Sequence, residues 1–152
     1  MKADADEAAD ARQQRERVGA SVIELDCATR IADLRASDSY HRADHAAETI
    51  AKQSGLRVVI VVLKAGGLMH EHHADAPISV HALEGRIQFE VGGQSHQLLP
   101  GHLLVVAAGL PHSVTAMEQS AFLLTIGGHD GVHGNERPQL GSPNVDNGRV
   151  RG

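Results

Sequence analysis

Eleven of the 152 residues are histidine, and seven of these (His70, His72, His73, His81, His96, His102 and His112) fall in one stretch of the chain. The densest run is His70-Glu71-His72-His73. In a strand, residues two apart share a face with Cα atoms about 6 to 7 Å apart, so His70 and His72 are expected on one face and Glu71 and His73 on the other. Two imidazoles so placed can converge on one ion, with a third donor drawn from His81, His96, His102 or His112. His112 follows Gly109-Leu110-Pro111, a rigid turn suited to delivering a side chain from a distant strand. His73 replaces His70 or His72 only if a bulge shifts the register, and is otherwise expected to point outward. His81 stands three residues after Ile78 and so turns to the opposite face, towards surface or interface. His96 and His102 lie beside turns and are expected in solvent, while His41, His45, His129 and His133 lie on the flanks and are given no role.

Other chemistries find no support. A metalloprotease HExxH motif needs a histidine where Ala74 stands, and the chain has no GxSxG, Walker or GxGxxG loop. Ser113 beside His112 does not by itself make a nucleophile.

The elements that must position these histidines are short and numerous. From Leu56 onward, aliphatic runs alternate with Gly and Pro punctuation, which predicts strands at Arg57 to Leu63, Met69 to His72, Ile78 to Leu83 and Arg86 to Val91. Further strands are predicted at Gln94 to Leu98, Leu103 to Val106, Ser113 to Met117 and Phe122 to Ile126. Glu84-Gly85 and Gly92-Gly93 supply the positive φ of tight hairpins, and Pro100-Gly101 presets a β-turn. About eight antiparallel strands with hardly any helix between them mean an all-β sandwich or barrel. Its lining is expected to alternate through Ile78, Val80, Phe89, Val91, Leu104, Val106, Val114, Leu123 and Thr125, a mostly aliphatic cavity suited to a small, largely apolar molecule.

The flanks read differently. Residues 1–20 are expected to be disordered or a frayed helix, residues 21–55 an auxiliary strand (Val22 to Leu25) and helix (Asp44 to Lys52, ended by Ser54-Gly55), residues 56–126 the barrel, and residues 127–152 a flexible tail. The 14 basic and 19 acidic residues give a net charge of -5, without the basic excess of a nucleic-acid binder. With Tyr40, Phe89 and Phe122 as the aromatics and no Trp, base-stacking platforms are disfavoured too. The lone Cys27 forms no intrachain disulfide, no apolar run approaches the roughly 18 residues of a membrane helix, and the opening segment is the opposite of a signal peptide's apolar core. A cytoplasmic location with no membrane association is the expectation.

Taken in order, His70-Glu71-His72, Leu83-Glu84-Gly85-Arg86, Leu99-Pro100-Gly101 and Gly109-Leu110-Pro111-His112 resemble the two motifs of the small single-domain, RmlC-like cupins. The resemblance covers about Leu56 to Ile126 and implies a double-stranded β-helix, or jelly-roll, barrel. It also implies a divalent transition metal (Fe, Ni, Mn or Zn) held by His70, His72 and His112, and a homodimer as the usual assembly. The family's carboxylate ligand, seven residues before the glycine of the Leu-Glu-Gly turn, is here Ile78; its frequent Asn four residues after the last histidine is Ala116, and its frequent Asp after Pro-Gly is His102. That leaves three histidines, and thiol dioxygenases of the superfamily are similar in using three histidines on iron. The implied functions are oxygenase or isomerase chemistry on a small organic molecule, or metal-free binding or regulation by such a molecule. The barrel's cations, Arg57, Lys64 and Arg86, find no place in the cavity from sequence.

Overall fold

A computed structural model describes residues 20–128. In chain order its elements are α1 (Cys27–Arg35), α2 (Asp38–Arg42), β1 (His45–Gln53), β2 (Leu56–Leu63), β3 (Leu68–His72) and β4 (Ile78–Glu84). They are followed by β5 (Ile87–Val91), β6 (Gln94–Leu98), β7 (Leu103–Val106), β8 (His112–Ala116) and β9 (Ser120–Gly127). All eight strands expected from Leu56 onward are present. The expectations for residues 1–19 and 129–152 lie outside the described residues.

Two antiparallel sheets face each other, one ordered β1-β2-β9-β4-β7 and the other β3-β8-β5-β6. Their inner faces enclose a core built around Phe89, Phe122, Ile87, Leu63, Val80 and Val114, the all-β jelly roll that the strand spacing predicts. A second apolar cluster lies on the other side of the five-stranded sheet, where Ile31, Leu34 and Tyr40 of the helices cover Ile50, Ile60 and Val62. With both faces buried, β2 and β9 read as continuous apolar runs, not as alternation.

This second cluster explains three departures from the sequence reading. The segment expected to be a helix, Asp44 to Lys52, is instead β1, paired along β2 from His45↔Leu63 to Gln53↔Leu56; pairing and the burial of Ala46 and Ile50 override its helix propensity. The predicted strand at Val22 to Leu25 does not form, and a helix follows it directly, with the Asp26 carboxylate capping the amides of Ala28 and Thr29 at 3.0 and 3.3 Å. The auxiliary strand and helix therefore occur in the opposite order, and the strand joins the barrel sheet. On β9 the phase is off by one: Leu124 and Ile126 pack against the inner core, whereas Leu123 packs with the outer cluster. An apolar run covered on both sides has no polar face to reveal its phase.

The turns follow their residues. Gly92 and Gly93 both have positive φ, 58° and 73°, at the two-residue hairpin between β5 and β6. At Gly85 (φ 74°) a β-carbon would collide with the Gln119 carbonyl and the Ser120 hydroxyl. No helix among the described residues is long and apolar enough to cross a membrane.

Candidate functional site

Strand β8 is regular. His112, Val114 and Ala116 are buried on its inner face, and the His112 ring stacks on Phe89 of β5 with centroids 5.2 Å apart and planes at 20°. Strand β3 is irregular. Its pairing with β8 runs Leu68↔Thr115 and Met69↔Val114, then shifts, so that His72 stands opposite His112. Three steps along β3 match two along β8, which is a β-bulge. Met69, partly buried against the core, and His72 therefore share the inner face although their positions differ by three, an odd offset. The strict alternation that put His70 and His72 on one face does not hold here: the extra residue changes the phase between them. His70 is exposed and does not line the cavity beside His72.

His72 and His112 meet. Their Nε2 atoms are 3.2 Å apart and the rings sit edge to face with centroids 4.4 Å apart. Each Nδ1 lies against a backbone carbonyl, that of His72 at 2.8 Å from the His70 oxygen and that of His112 at 2.9 Å from the Leu110 oxygen. A carbonyl only accepts, so both Nδ1 atoms donate, and in the neutral rings both Nε2 atoms carry bare lone pairs turned towards each other. Burial holds the His112 pKa below the usual histidine value of 6.5, with His72 and His73 adding to that depression and the Leu110 carbonyl opposing it. The amide of Gly109 donates to the Ala74 carbonyl at 2.8 Å, stitching the turn before His112 to the segment that follows His73.

The pair opens onto a cavity of about 600 Å³. One wall is aliphatic, formed by Ile78, Leu124, Ile126 and Ala74, and the polar lining comprises Lys52, Arg57, His72, His73, Asp75 and His112. His73, expected outward, lies on this wall, its Nε2 3.8 Å from the solvated Asp75 carboxylate. Ile78, at the position of the missing carboxylate, is buried on the same wall. Among the described residues, no three His, Cys, Asp or Glu side chains come together closely enough to hold a metal ion. His81 pairs with Leu103 and Leu123, on the sheet face away from the core, as alternation predicts.

Sequence reasoning missed Lys52 and Arg57. Pairing across the five-stranded sheet runs Lys52↔Arg57, Arg57↔Ile126, Ile126↔Ile78 and Ile78↔Val106. Directly opposed residues share a face, and Ile78 and Val106 belong to the inner core. That row therefore carries both cations onto the inner side of the sheet. The signal lies in the register of four strand pairs, one of them formed by a segment with helical composition.

The family model described as Cupin domain matches residues 58–127, while no curated protein sequence matches the chain. The chain is similar in fold to a salicylate 1,2-dioxygenase variant from Pseudoaminobacter salicylatoxidans, at 18% identity and a TM-score of 0.65 over 72% of this chain and 36% of that one. KdgF from Halomonas sp. is 21% identical, with a TM-score of 0.52 over 57% of this chain and 82% of its own. An RmlC-like cupin with a double-stranded β-helix fold from Methanocaldococcus jannaschii is 15% identical, with a TM-score of 0.52 over 56% and 81%. The matched span and the two facing sheets agree: residues 58–127 match the cupin-domain model and share the fold of RmlC-like cupins.

Proposed function

We propose that the barrel binds a small organic molecule beside a divalent transition metal held by His72 and His112. The observation that carries this reading is the Nε2 pair, 3.2 Å apart with both Nδ1 atoms committed to carbonyls. Two bare lone pairs at that distance repel unless a proton or a metal ion lies between them. At 3.2 Å the two nitrogens are close enough for both to reach one ion at about 2.0 to 2.1 Å. Hydrogen-bonded Nδ1 atoms are the usual support of ligating imidazoles. The two imidazoles are a partial donor set: were Fe, Ni, Mn or Zn to bind, His72 and His112 would hold it, with the remaining positions left to solvent and the bound molecule. When bound, such an ion supplies Lewis-acid polarisation or an oxygen-binding position. His70 acts through its carbonyl, which orients the His72 ring, and not through its imidazole. The aliphatic wall excludes water from one side of the ligand, and Phe89 holds the plane of His112. A fold neighbour, the salicylate 1,2-dioxygenase of P. salicylatoxidans, has been solved with gentisate, which accords with a small-molecule ligand and oxygenase chemistry.

The wall also favours a second reading, a metal-free binding or regulatory cupin, because Ile78 and Ala74 offer nothing to complete a coordination sphere. Elemental analysis after loading with Fe(II), Ni, Mn or Zn separates the two. The metal reading expects near one equivalent per chain in the native protein and in His70→Ala, and loss of metal in His72→Ala and His112→Ala. Less than about a tenth of an equivalent in every condition sinks the metal reading and leaves the metal-free one.

A further inference from the structure

The cations in the cavity wall call for a partner of their own. Lys52 and Arg57 are directly opposed on adjacent antiparallel strands, an arrangement in which like charges destabilise the pair. Neither has an ion-pair partner among the described residues. The carboxylate on the same cavity wall, Asp75, is fully solvated and stands by His73. Beyond Arg57 in the same transverse row come Ile126 and Ile78, so charge gives way to hydrocarbon along one line of the inner face. Resting on the reading of this cavity as a small-molecule site, we infer that its ligand is an organic carboxylate with an apolar body. Arg57 and Lys52 bind the carboxylate at the rim, and the body lies along Ile78, Leu124 and Ile126 towards the His72–His112 pair. An anion relieves the Lys52–Arg57 repulsion and matches the guanidinium fork in a bidentate contact. An aliphatic or aromatic body of this kind gains by leaving water.

Calorimetric titration of the full chain with benzoate and hexanoate, each against its neutral primary amide, tests this assignment. Both carboxylates are expected to bind at least roughly tenfold more tightly than their amides. Arg57→Gln is expected to abolish that preference and Lys52→Gln to reduce it; both side chains are exposed, and thermal unfolding of each variant checks that it folds. Equal binding of acid and amide, unchanged by Arg57→Gln, overturns the charge assignment and leaves the cavity reading standing. A carboxylate preference that survives both substitutions also overturns the assignment to the rim. If no probe binds and the imidazole NMR signals of His72 and His112 do not move, both the inference and the cavity reading fall.

Discussion

His72 and His112 face each other across one ladder, yet the strands that present them have opposite characters. On β8, residues alternate without interruption, His112 is only 4% exposed, and its ring is clamped against Phe89. On β3, all but Met69 of the five residues are exposed and the register shifts midway. His112 is thus fixed by packing. His72 is fixed by one bond from its Nδ1 to the carbonyl two residues back. A site of this kind has a rigid half and an adjustable half. On the proposed function, the rigid half would set where a ligand sits, and the adjustable half is where sequence changes could retune binding without unfolding the barrel.

The largest effect expected from that difference is on stability. Phe89→Ala removes a fully buried ring from beneath the rigid half and is expected to cost about 3 to 5 kcal/mol. Leu68→Ala on β3, at 36% exposure, is expected to cost under about 1 kcal/mol. Urea unfolding of the two variants measures the contrast, and equal losses would remove the distinction between the strands.

A smaller effect separates the two halves by pH. Native His112 resists protonation, chiefly through burial, whereas in the unfolded chain it titrates near 6.5. Below that value the unfolded state binds a proton that the native state refuses, so stability falls as pH drops below about 6.5 and is flat above it. Chelator-treated protein is expected to show this slope, and His112→Gln to lose it. Asp44 acts in a lower window. Its carboxylate accepts from the Leu68 amide at 3.1 Å and from His45 Nδ1 at 2.7 Å, and the Leu68 bond foremost holds its pKa below the usual 3.8. That contribution, at the entry to β3, is present above pH 3.8 and is lost as pH falls below it. Stability measured between pH 3 and 8 in the native protein, His112→Gln and Asp44→Asn reads the two windows separately. An unchanged slope near pH 6 in His112→Gln contradicts the assignment to this residue.

What could be read from the sequence follows the same division. Regular elements with one polar face were legible: the hairpin glycines, the β5–β6 pair and the inward set Ile78, Val80, Phe89 and Val114 stand where alternation puts them. His112 was legible because a rigid turn and a regular strand leave it one direction. The errors arise where a non-local contact decides. β1 is a strand because β2 needs a partner and the helices need a surface to cover, although its own residues favour helix. The β9 phase was hidden because both of its faces are covered. His70 was misplaced by one inserted residue, since a bulge leaves no mark in composition. Arg57 and Lys52 enter the cavity through the register of neighbouring strands, which no single segment encodes.

The smallest expected effect tests the adjustable half directly. Removing Glu71 takes one residue out of β3 between the two fixed pairs, Met69↔Val114 and His72↔His112. The shortened strand can then run in strict alternation, with His70 opposite Ser113 and His72 still opposite His112. Neither of its inner-face residues, Met69 and His72, changes partner, so the inner face should persist and the thermal midpoint should move by less than about 5 °C. Metal or ligand binding through His72 and His112 is expected to weaken by roughly tenfold, because the His70 carbonyl, then on the residue directly before His72, no longer lies two residues back to accept from its Nδ1. Unchanged binding in a folded deletion variant would instead show that the cross-strand pair alone, and not the bulge that places the His70 carbonyl against the His72 ring, sets the geometry of the pair.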